Sequence, residues 1–134
     1  MIRGTTASFK IKLPYTIGEL EWVTIKWWQD GNPGTLIAPL PITKKMTDCS
    51  TVENADTSKE LYVSLTAEET MRFSDKHKAK MQMRAKLLAT ARTFGCKPRL
   101  ITVYPMNDDL IDDDIIMPED DGGWIVLDGE SVID

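Results

Sequence analysis

The sequence predicts an all-β protein, an immunoglobulin-like antiparallel β-sandwich of roughly seven strands. Two segments alternate strictly between apolar and polar residues, which is the period of a half-buried strand. Clusters of turn-forming residues and prolines separate the candidate strands at short intervals. Only one stretch carries a helix-initiation signal, so we expect one short helix at a crossover between the two sheets.

Alternation predicts the first two strands. Phe9, Ile11 and Leu13 alternate with polar residues, and Pro14 ends this strand because proline cannot donate to a β-ladder. A second strand is predicted over residues 20–29. One of its faces carries Val23, Ile25 and Trp27, and the other carries Trp22, Thr24, Lys26 and Trp28.

The middle of the chain predicts an edge strand and a further inner strand. Residues 30–34 are a dense cluster of turn formers. Residues 35–43 are apolar and β-branched, but Pro39 and Pro41 confine them to an edge or irregular strand. Residues 48–59 are polar and predict a loop. Alternation resumes over residues 61–65, which predict a strand.

Thr66 opens the one predicted helix, over residues 67–73, because Glu69 stands three residues later and completes a capping box. The next segment, Lys78 to Leu87, favours helix by intrinsic propensity. Its apolar residues nevertheless alternate without error, and a helix of this sequence would carry charge around its whole girth. Because burial outweighs propensity, we favour a strand there and keep helix as the alternative.

Two hairpins are predicted in the last third of the chain. Residues 94–98 contain Gly95 and Pro98 and predict a hairpin connection, with residues 100–104 as the returning strand. Asp128-Gly129 lies between the apolar runs 124–127 and 131–133, which is a signal for a two-residue hairpin.

Charge divides the chain after residue 106. Residues 1–106 hold all 16 Lys and Arg against 10 Asp and Glu, a net charge of +6, and residues 107–134 hold 11 acidic and no basic residues. We therefore predict a β-sandwich domain over 1–106 and an acidic C-terminal arm with a short hairpin over 107–134. We expect the basic excess of the body to be spread out without forming a stripe, and the acidic pI argues against nucleic-acid binding.

Residue types that carry catalysis or bind metals form no recognisable pattern. His77 is the one histidine, and neither Cys49 nor Cys96 lies in a nucleophile context, so free thiols are favoured over a disulfide. The aspartates of residues 108–121 miss the spacing of a calcium loop, because Leu110 and Ile116 fall where carboxylates are required. We expect no enzyme activity, no metal and no cofactor.

Trp22 and Trp28 share one face of the second strand, with Lys26 between them. Such rings can be buried within the subunit, anchor a protein interface, or stack on sugars together with Tyr62. Trp124 would be their partner if the C-terminal hairpin folds back. The interface hypothesis assigns one set of anchors to this face and the arm: Trp22, Trp28, Leu110, Ile111, Ile115, Ile116 and Trp124.

Three short motifs carry a family resemblance. They are Met1-Ile2-Arg3-Gly4-Thr5-Thr6 before a strand ending Leu13-Pro14, Leu65-Thr66-Ala67-Glu68-Glu69-Thr70 before Phe73, and Asp108-Asp109-Leu110-Ile111-Asp112-Asp113. Over most of residues 1–116 the chain resembles a group of small, uncharacterised proteins encoded in prophages of tailed phages. The resemblance implies a β-sandwich and a place near tail or other virion genes; it implies no catalytic residues.

Together these observations predict a non-enzymatic phage structural or assembly protein, a tail, baseplate or other virion component. It would assemble with itself or with another virion protein through the arm and the aromatic face, so that removing residues 107–134 should leave the body folded. A glycan-binding module and a cytosolic phage factor that binds a host protein are the alternatives. The N-terminus lacks the apolar core of a signal peptide, and no apolar run would span a bilayer. We therefore expect synthesis in the cytoplasm and incorporation in a particle.

Overall fold

A computed structural model of the chain describes residues 1–29, 41–51, 57–105 and 124–129, and the backbone of 132–133. The described residues form two β-sheets with short helical turns, which confirms the all-β sandwich. Nine strands are described: β1 Ala7–Lys12, β2 Leu20–Trp28, β3 Ile42–Lys45, β4 Glu60–Leu65, β5 Ala79–Leu87, β6 Thr93–Cys96, β7 Arg99–Ile101, β8 Ile125–Asp128 and β9 Val132–Ile133. The helical elements are α1, Ala67–Thr70, and single 3-10 turns at Ile17–Glu19 and Met46–Asp48.

The smaller sheet has the strand order β4-β1-β8. β1 pairs antiparallel with β4, so that Phe9 lies opposite Val63. On its other side β1 pairs with β8 in parallel, with Phe9 opposite Ile125. We predicted an antiparallel sandwich. The described strands include one parallel pair, β1 and β8, and the other pairs are antiparallel. A parallel pair needs a long connection, and most of the chain lies between β1 and β8.

The larger sheet has the order β3-β2-β5-β6-β9, with β7 also beside β5. Its centre is the long antiparallel pair of β2 and β5, in register from Val23 opposite Ala85 to Trp28 opposite Lys80. Lys78 to Leu87 is therefore a strand, as its alternation predicts, and the helical alternative is wrong. β3 lies at the edge of the sheet, which the prolines before it favoured; the predicted segment 35–40 lies outside the described residues.

The core lies between the two sheets. Phe9 of β1 meets Trp27 of β2 with ring centroids 5.2 Å apart and planes inclined at 58°, a geometry that aromatic pairs favour. The alternating apolar residues of β1, β2, β4 and β5 are buried around this contact. The fully buried Trp27 has an indole N–H that contacts no hydrogen-bond acceptor in the part of the chain that the structure describes. Trp27 is therefore held by packing.

The helix α1 is shorter than predicted. Thr66 and Glu69 form the expected capping box, in which the Glu69 N–H donates to Thr66 Oγ1 at 3.2 Å and the Thr66 N–H to Glu69 Oε1 at 2.9 Å. After Thr70 the backbone bonds tighten to three-residue turns, with the Phe73 N–H donating to the Thr70 carbonyl. This tight turn carries the fully buried Phe73 into the core, which a second helical turn would not do.

The side chain of Gln29 forms hydrogen bonds with the backbone of the loop that follows Phe73. Its side-chain amide donates to the carbonyl oxygens of Ser74 at 2.8 Å and His77 at 2.9 Å, and its Oε1 accepts from the Ser74 N–H at 2.9 Å. The end of β2 is thereby joined to the entry of β5. The side chain of Gln29 is buried because these bonds replace the ones it would make to water.

The hairpin connection predicted over 94–98 is wrong. Residues 93–96 are strand β6, whose Phe94 and Cys96 are buried in the core, and the turn that joins β5 to β6 lies earlier, at residues 88–92. Gly95 resembles a turn residue in the sequence. In the sheet it lies opposite Arg84, where an added Cβ would come within 3.1 Å of the Met83 carbonyl oxygen.

β6 and β7 share the flank of β5. β6 pairs with Arg84–Lys86, and β7 with Ala79–Met81. The returning strand predicted over 100–104 is limited to Arg99–Ile101, because the chain then leaves the sheet to meet Ile2 at Tyr104.

The predicted C-terminal hairpin is also wrong. β8 and β9 do not pair with each other: β8 joins the smaller sheet beside β1, and β9 joins the larger sheet beside β6. The Asp128-Gly129 step is therefore a crossing between sheets. The Gly129 N–H donates to the Lys12 carbonyl oxygen at 2.7 Å, and an added Cβ would lie 2.3 Å from that oxygen.

Strands β8 and β9 are thus part of the sandwich, with Leu127 only 2% exposed. Removal of residues 107–134 would take one strand from each sheet, which argues against the expectation that this truncation leaves the body folded; that expectation stays a prediction. The predicted boundary between 106 and 107 lies at residues outside those described.

We expect Gly129→Ala to lower the free energy of unfolding by about 3 kcal/mol, because the new methyl group would force β8 away from Lys12. Chemical denaturation of the full chain measures this. Gly18→Ala is the matched control, since Gly18 is exposed and its φ is not positive. It should change stability by less than about 0.5 kcal/mol. Equal effects of the two substitutions would contradict the close approach at Gly129.

Ala91→Gly should stabilise the fold. Ala91 is exposed in the turn between β5 and β6 with φ 56°, a left-handed conformation that costs an L-residue about 1 kcal/mol. Glycine adopts this conformation without that cost, but it loses more conformational entropy on folding than alanine does. The expected net gain in the free energy of unfolding is about 0.5 kcal/mol. Ala89→Gly, in the same turn without a positive φ, should instead destabilise. Thermal unfolding of both variants tests this; a loss of stability in Ala91→Gly would refute it.

Candidate functional site

The outer face of the larger sheet gathers aromatic and basic side chains. We call it the basic aromatic face. Strand alternation turns one set of residues of β2, β3, β5 and β7 away from the core, and pairing aligns them in rows. Its aromatic and aliphatic members are Trp22, Trp28 and Leu100, and its cations are Lys26, Lys45, Lys80, Arg84 and Lys86. The expectation that the basic residues are spread without a pattern is therefore wrong.

Trp22 and Trp28 lie on the same face, as predicted, and both are half-buried. Six residues separate them along β2, so their Cα atoms are about 20 Å apart. The Lys26 ammonium lies 5.6 Å from the centroid of the Trp28 ring, within the range of a cation–π contact. The two rings therefore mark opposite ends of the basic aromatic face and do not stack on each other.

Leu100 was not among the predicted site residues. It lies opposite Lys80, which in turn lies opposite Trp28, so one row across the sheet combines two large apolar groups with a cation. Leu100 is 54% exposed. Its neighbour Ile101 is buried, and the alternation of these two residues was the signal in the sequence that could have placed Leu100 on an outer face. The sequence could not show that β5 is the strand beside it.

Carboxylates are scarce among the outward residues described on the basic aromatic face. Lys86 pairs with Glu21 at 3.0 Å at one margin. No other carboxylate occupies an outward position of β2, β3, β5 or β7 among the described residues. Cations therefore outnumber carboxylates five to one among the outward residues described on these strands.

Trp124 lies on the opposite side of the sandwich. It packs edge-on against Tyr62 with ring centroids 4.9 Å apart, on the outer face of the smaller sheet. The Lys10 ammonium lies 5.8 Å from the Tyr62 ring, and the Tyr62 hydroxyl donates to Glu60. Trp124 and Tyr62 therefore do not join Trp22 and Trp28 in one surface. Trp124, predicted to contact a neighbour, is half-buried within its own fold.

The remaining predicted anchors are Leu110, Ile111, Ile115 and Ile116, and they lie outside the described residues. Their assignment to an interface stays a prediction.

The first two motifs of the resemblance meet in the structure. The buried Thr70 of α1 accepts a hydrogen bond from the Gly4 N–H at 3.0 Å and donates to the Thr5 carbonyl at 2.8 Å. Gly4 has φ 79°, which favours glycine at this turn. Arg3 reaches from the same segment to the Met71 carbonyl at 3.2 Å. These motifs therefore build one packed corner, which we call the N-terminal corner.

An ion pair joins this corner to the larger sheet. Lys44 Nζ lies 3.1 Å from Glu69 Oε2, so β3 is tied to α1. Burial by itself would raise the pKa of Glu69, but the hydrogen bond from the Thr66 backbone and the contacts with Lys44 outweigh it and hold that pKa below its ordinary value. Glu69 is therefore a charged residue that links α1 to β3.

The two thiols are free in the structure, as favoured from the sequence. Burial, and after it the charge of Asp48, raises the pKa of Cys49 to about 11, and burial also raises the pKa of Cys96. Both thiols are therefore protonated at neutral pH and poor nucleophiles. The described residues hold no cluster of three or more His, Cys, Asp or Glu that could bind a metal ion.

Within the described parts of the chain, no helix has the length and apolar character needed to cross a membrane. A scan against models of known protein families and a search of curated proteins both gave no match to this chain.

Glu69→Gln should lower the free energy of unfolding by about 1 kcal/mol at pH 7, because it removes the charge that Lys44 and the helix N-terminus stabilise. The folded pKa of Glu69 is below its ordinary value of 4.5, so its contribution is complete above that pH and is lost as the pH falls through the folded pKa. The difference between the two proteins should therefore close in acid.

Urea unfolding of both proteins from pH 7 to pH 3 measures this. Glu68→Gln, an exposed neighbour in the same helical turn, is the control and should cost less than about 0.5 kcal/mol. A gap between Glu69→Gln and the parent chain that stays constant over the whole pH range would contradict the assignment.

Proposed function

We propose that this chain is a non-enzymatic structural or assembly protein of a tailed phage, a tail, baseplate or other virion component that acts by docking on protein. The observation that carries the proposal is the basic aromatic face, with two tryptophans and five cations, in a chain whose residues 107–134 contain 11 acidic and no basic residues. Charge complementarity of this kind steers protein association and selects partners.

The composition of the face suits a protein partner. Tryptophan and arginine are the residues that most often dominate binding energy at protein interfaces. Trp28 and the exposed Leu100 lie in one row of the sheet with Lys80 and supply apolar area, and Arg84 lies four residues further along β5. Lysines around such a centre form a polar rim that speeds association and fixes register.

The phage assignment is supported by the resemblance of residues 1–116 to small proteins of tailed-phage prophages. Two of the motifs that carry it, residues 1–6 and 65–70, build the N-terminal corner through Thr70. These two motifs therefore stabilise the sandwich. In this proposal the residues that dock on a partner are those of the basic aromatic face.

The glycan-binding alternative is less well supported. Its three stacking residues do not share a surface, because Tyr62 lies on the smaller sheet and Trp22 and Trp28 on the larger. The two tryptophans on one face are also about 20 Å apart. A cytosolic factor that binds a host protein would use the same basic aromatic face, and differs in where the protein is found.

We expect the chain to be present, in more than one copy per particle, in phage particles purified by density gradient from cells that encode it. Quantitative mass spectrometry of the particles and of the particle-free lysate measures this. The double variant Trp28→Ala, Lys26→Ala should lower its amount in particles at least tenfold, because it removes an aromatic anchor and the cation over its ring.

Lys59→Ala, an exposed position outside the basic aromatic face, is the control and should be incorporated normally. Recovery of the unaltered chain only in the particle-free lysate would reject a virion role and favour the host-binding factor.

A further inference from the structure

The basic aromatic face has one candidate occupant within this sequence. Residues 107–121 contain eight carboxylates and no basic residue, and they include Leu110, Ile111, Ile115 and Ile116. Carboxylates suit the cations of the face, and branched apolar side chains suit Trp28 and Leu100. We call residues 107–121 the acidic segment.

We propose that the basic aromatic face binds the acidic segment of a second copy of this chain, so that the protein associates with itself. This inference rests on the proposed docking role and deepens it by naming the partner. Each copy carries both the face and the segment, so a two-fold arrangement would form the contact twice. The second contact would then form at high effective concentration.

The fold favours binding between copies over binding within one copy. Trp124 follows the acidic segment by three residues in the sequence and packs on Tyr62 on the outer face of the smaller sheet. Trp22 and Trp28 lie on the outer face of the larger sheet, on the other side of the core. Trp124, three residues after the acidic segment, is therefore held on the side of the sandwich that points away from the basic aromatic face of its own copy.

The electrostatics of the face agree with this occupant. Arg84 and Lys45 flank the outward Thr24, and Lys26 lies two residues further along β2. The described outward residues of β2, β3, β5 and β7 include one carboxylate, Glu21, which pairs with Lys86 at the margin. Charge contacts between the basic aromatic face and the acidic segment should weaken as salt is added, because exposed charges are screened over about 8 Å at physiological ionic strength.

Charge exchange between two variants tests the proposal. The face variant carries Lys26→Glu and Arg84→Glu, and the segment variant carries Asp112→Lys and Asp113→Lys. Size-exclusion chromatography with light scattering gives the mass of each alone and of their mixture, at low and at high salt. The unaltered chain should form a dimer that dissociates at least tenfold more readily at high salt.

The face variant alone should be monomeric, because its two substitutions leave the face without a net positive charge. The segment variant alone should dimerise more weakly than the unaltered chain, because its segment changes from eight negative charges to a net charge of −4. The mixture should contain a heterodimer, since the segment of the face variant still matches the face of the segment variant. Its formation also shows that both variants are folded. The control Lys59→Glu, Lys76→Glu makes the same change in net charge at exposed positions outside the face and should dimerise normally.

Four results would overturn the inference: a monomeric unaltered chain at low salt, dimerisation of the face variant alone, a mixture without heterodimer, or loss of dimer in the control. None of these depends on phage particles. A chain that is monomeric but present in particles would refute self-docking and leave the virion role standing. A chain that dimerises as predicted but is absent from particles would support self-docking and refute the virion role.

Discussion

Phe9 and Trp27 meet where the two sheets pack, and the orientation of every outward side chain follows from that contact. Once Trp27 faces β1, strand alternation turns Trp22, Lys26 and Trp28 to the opposite side of β2. Pairing with β5 then places Lys80, Arg84 and Lys86 beside them. The burial of one aromatic pair thus determines the composition of a surface that does not touch it.

The ends of the sandwich are closed by segments that are distant in sequence. The N-terminal corner joins residues 1–5 to α1 through Thr70, and Tyr104 adds a bridge to Ile2. At the other end of the chain, β8 and β9 enter different sheets, and Gly129 lets the backbone pass against Lys12. Contacts this distant in sequence make stability depend on the whole chain, including residues beyond the acidic segment.

The charge of the molecule is unevenly distributed along the sequence, and cations gather on one face of the larger sheet. The basic aromatic face holds five cations, and the acidic residues are concentrated after residue 106. A net charge of −5 conceals this uneven distribution. For a molecule of this kind, the mean charge is a poor guide to its partners, because binding depends on the local surface that each partner meets.

Local patterns in the sequence determined which segments are strands. Period-two burial in β1, β2 and β5 and the capping box at Thr66 were predictable, because each depends on residues close together along the chain. Gly95 and Asp128-Gly129 misled the prediction, since glycine supplies a turn in one context and a close backbone approach in another. The aromatic face of β2 could be predicted from alternation, whereas its cations from β3 and β5 and its Leu100 from β7 could not. Only the tertiary structure decided which strands are neighbours and which sheet receives β8 and β9, because strand pairing depends on contacts between residues far apart in the sequence.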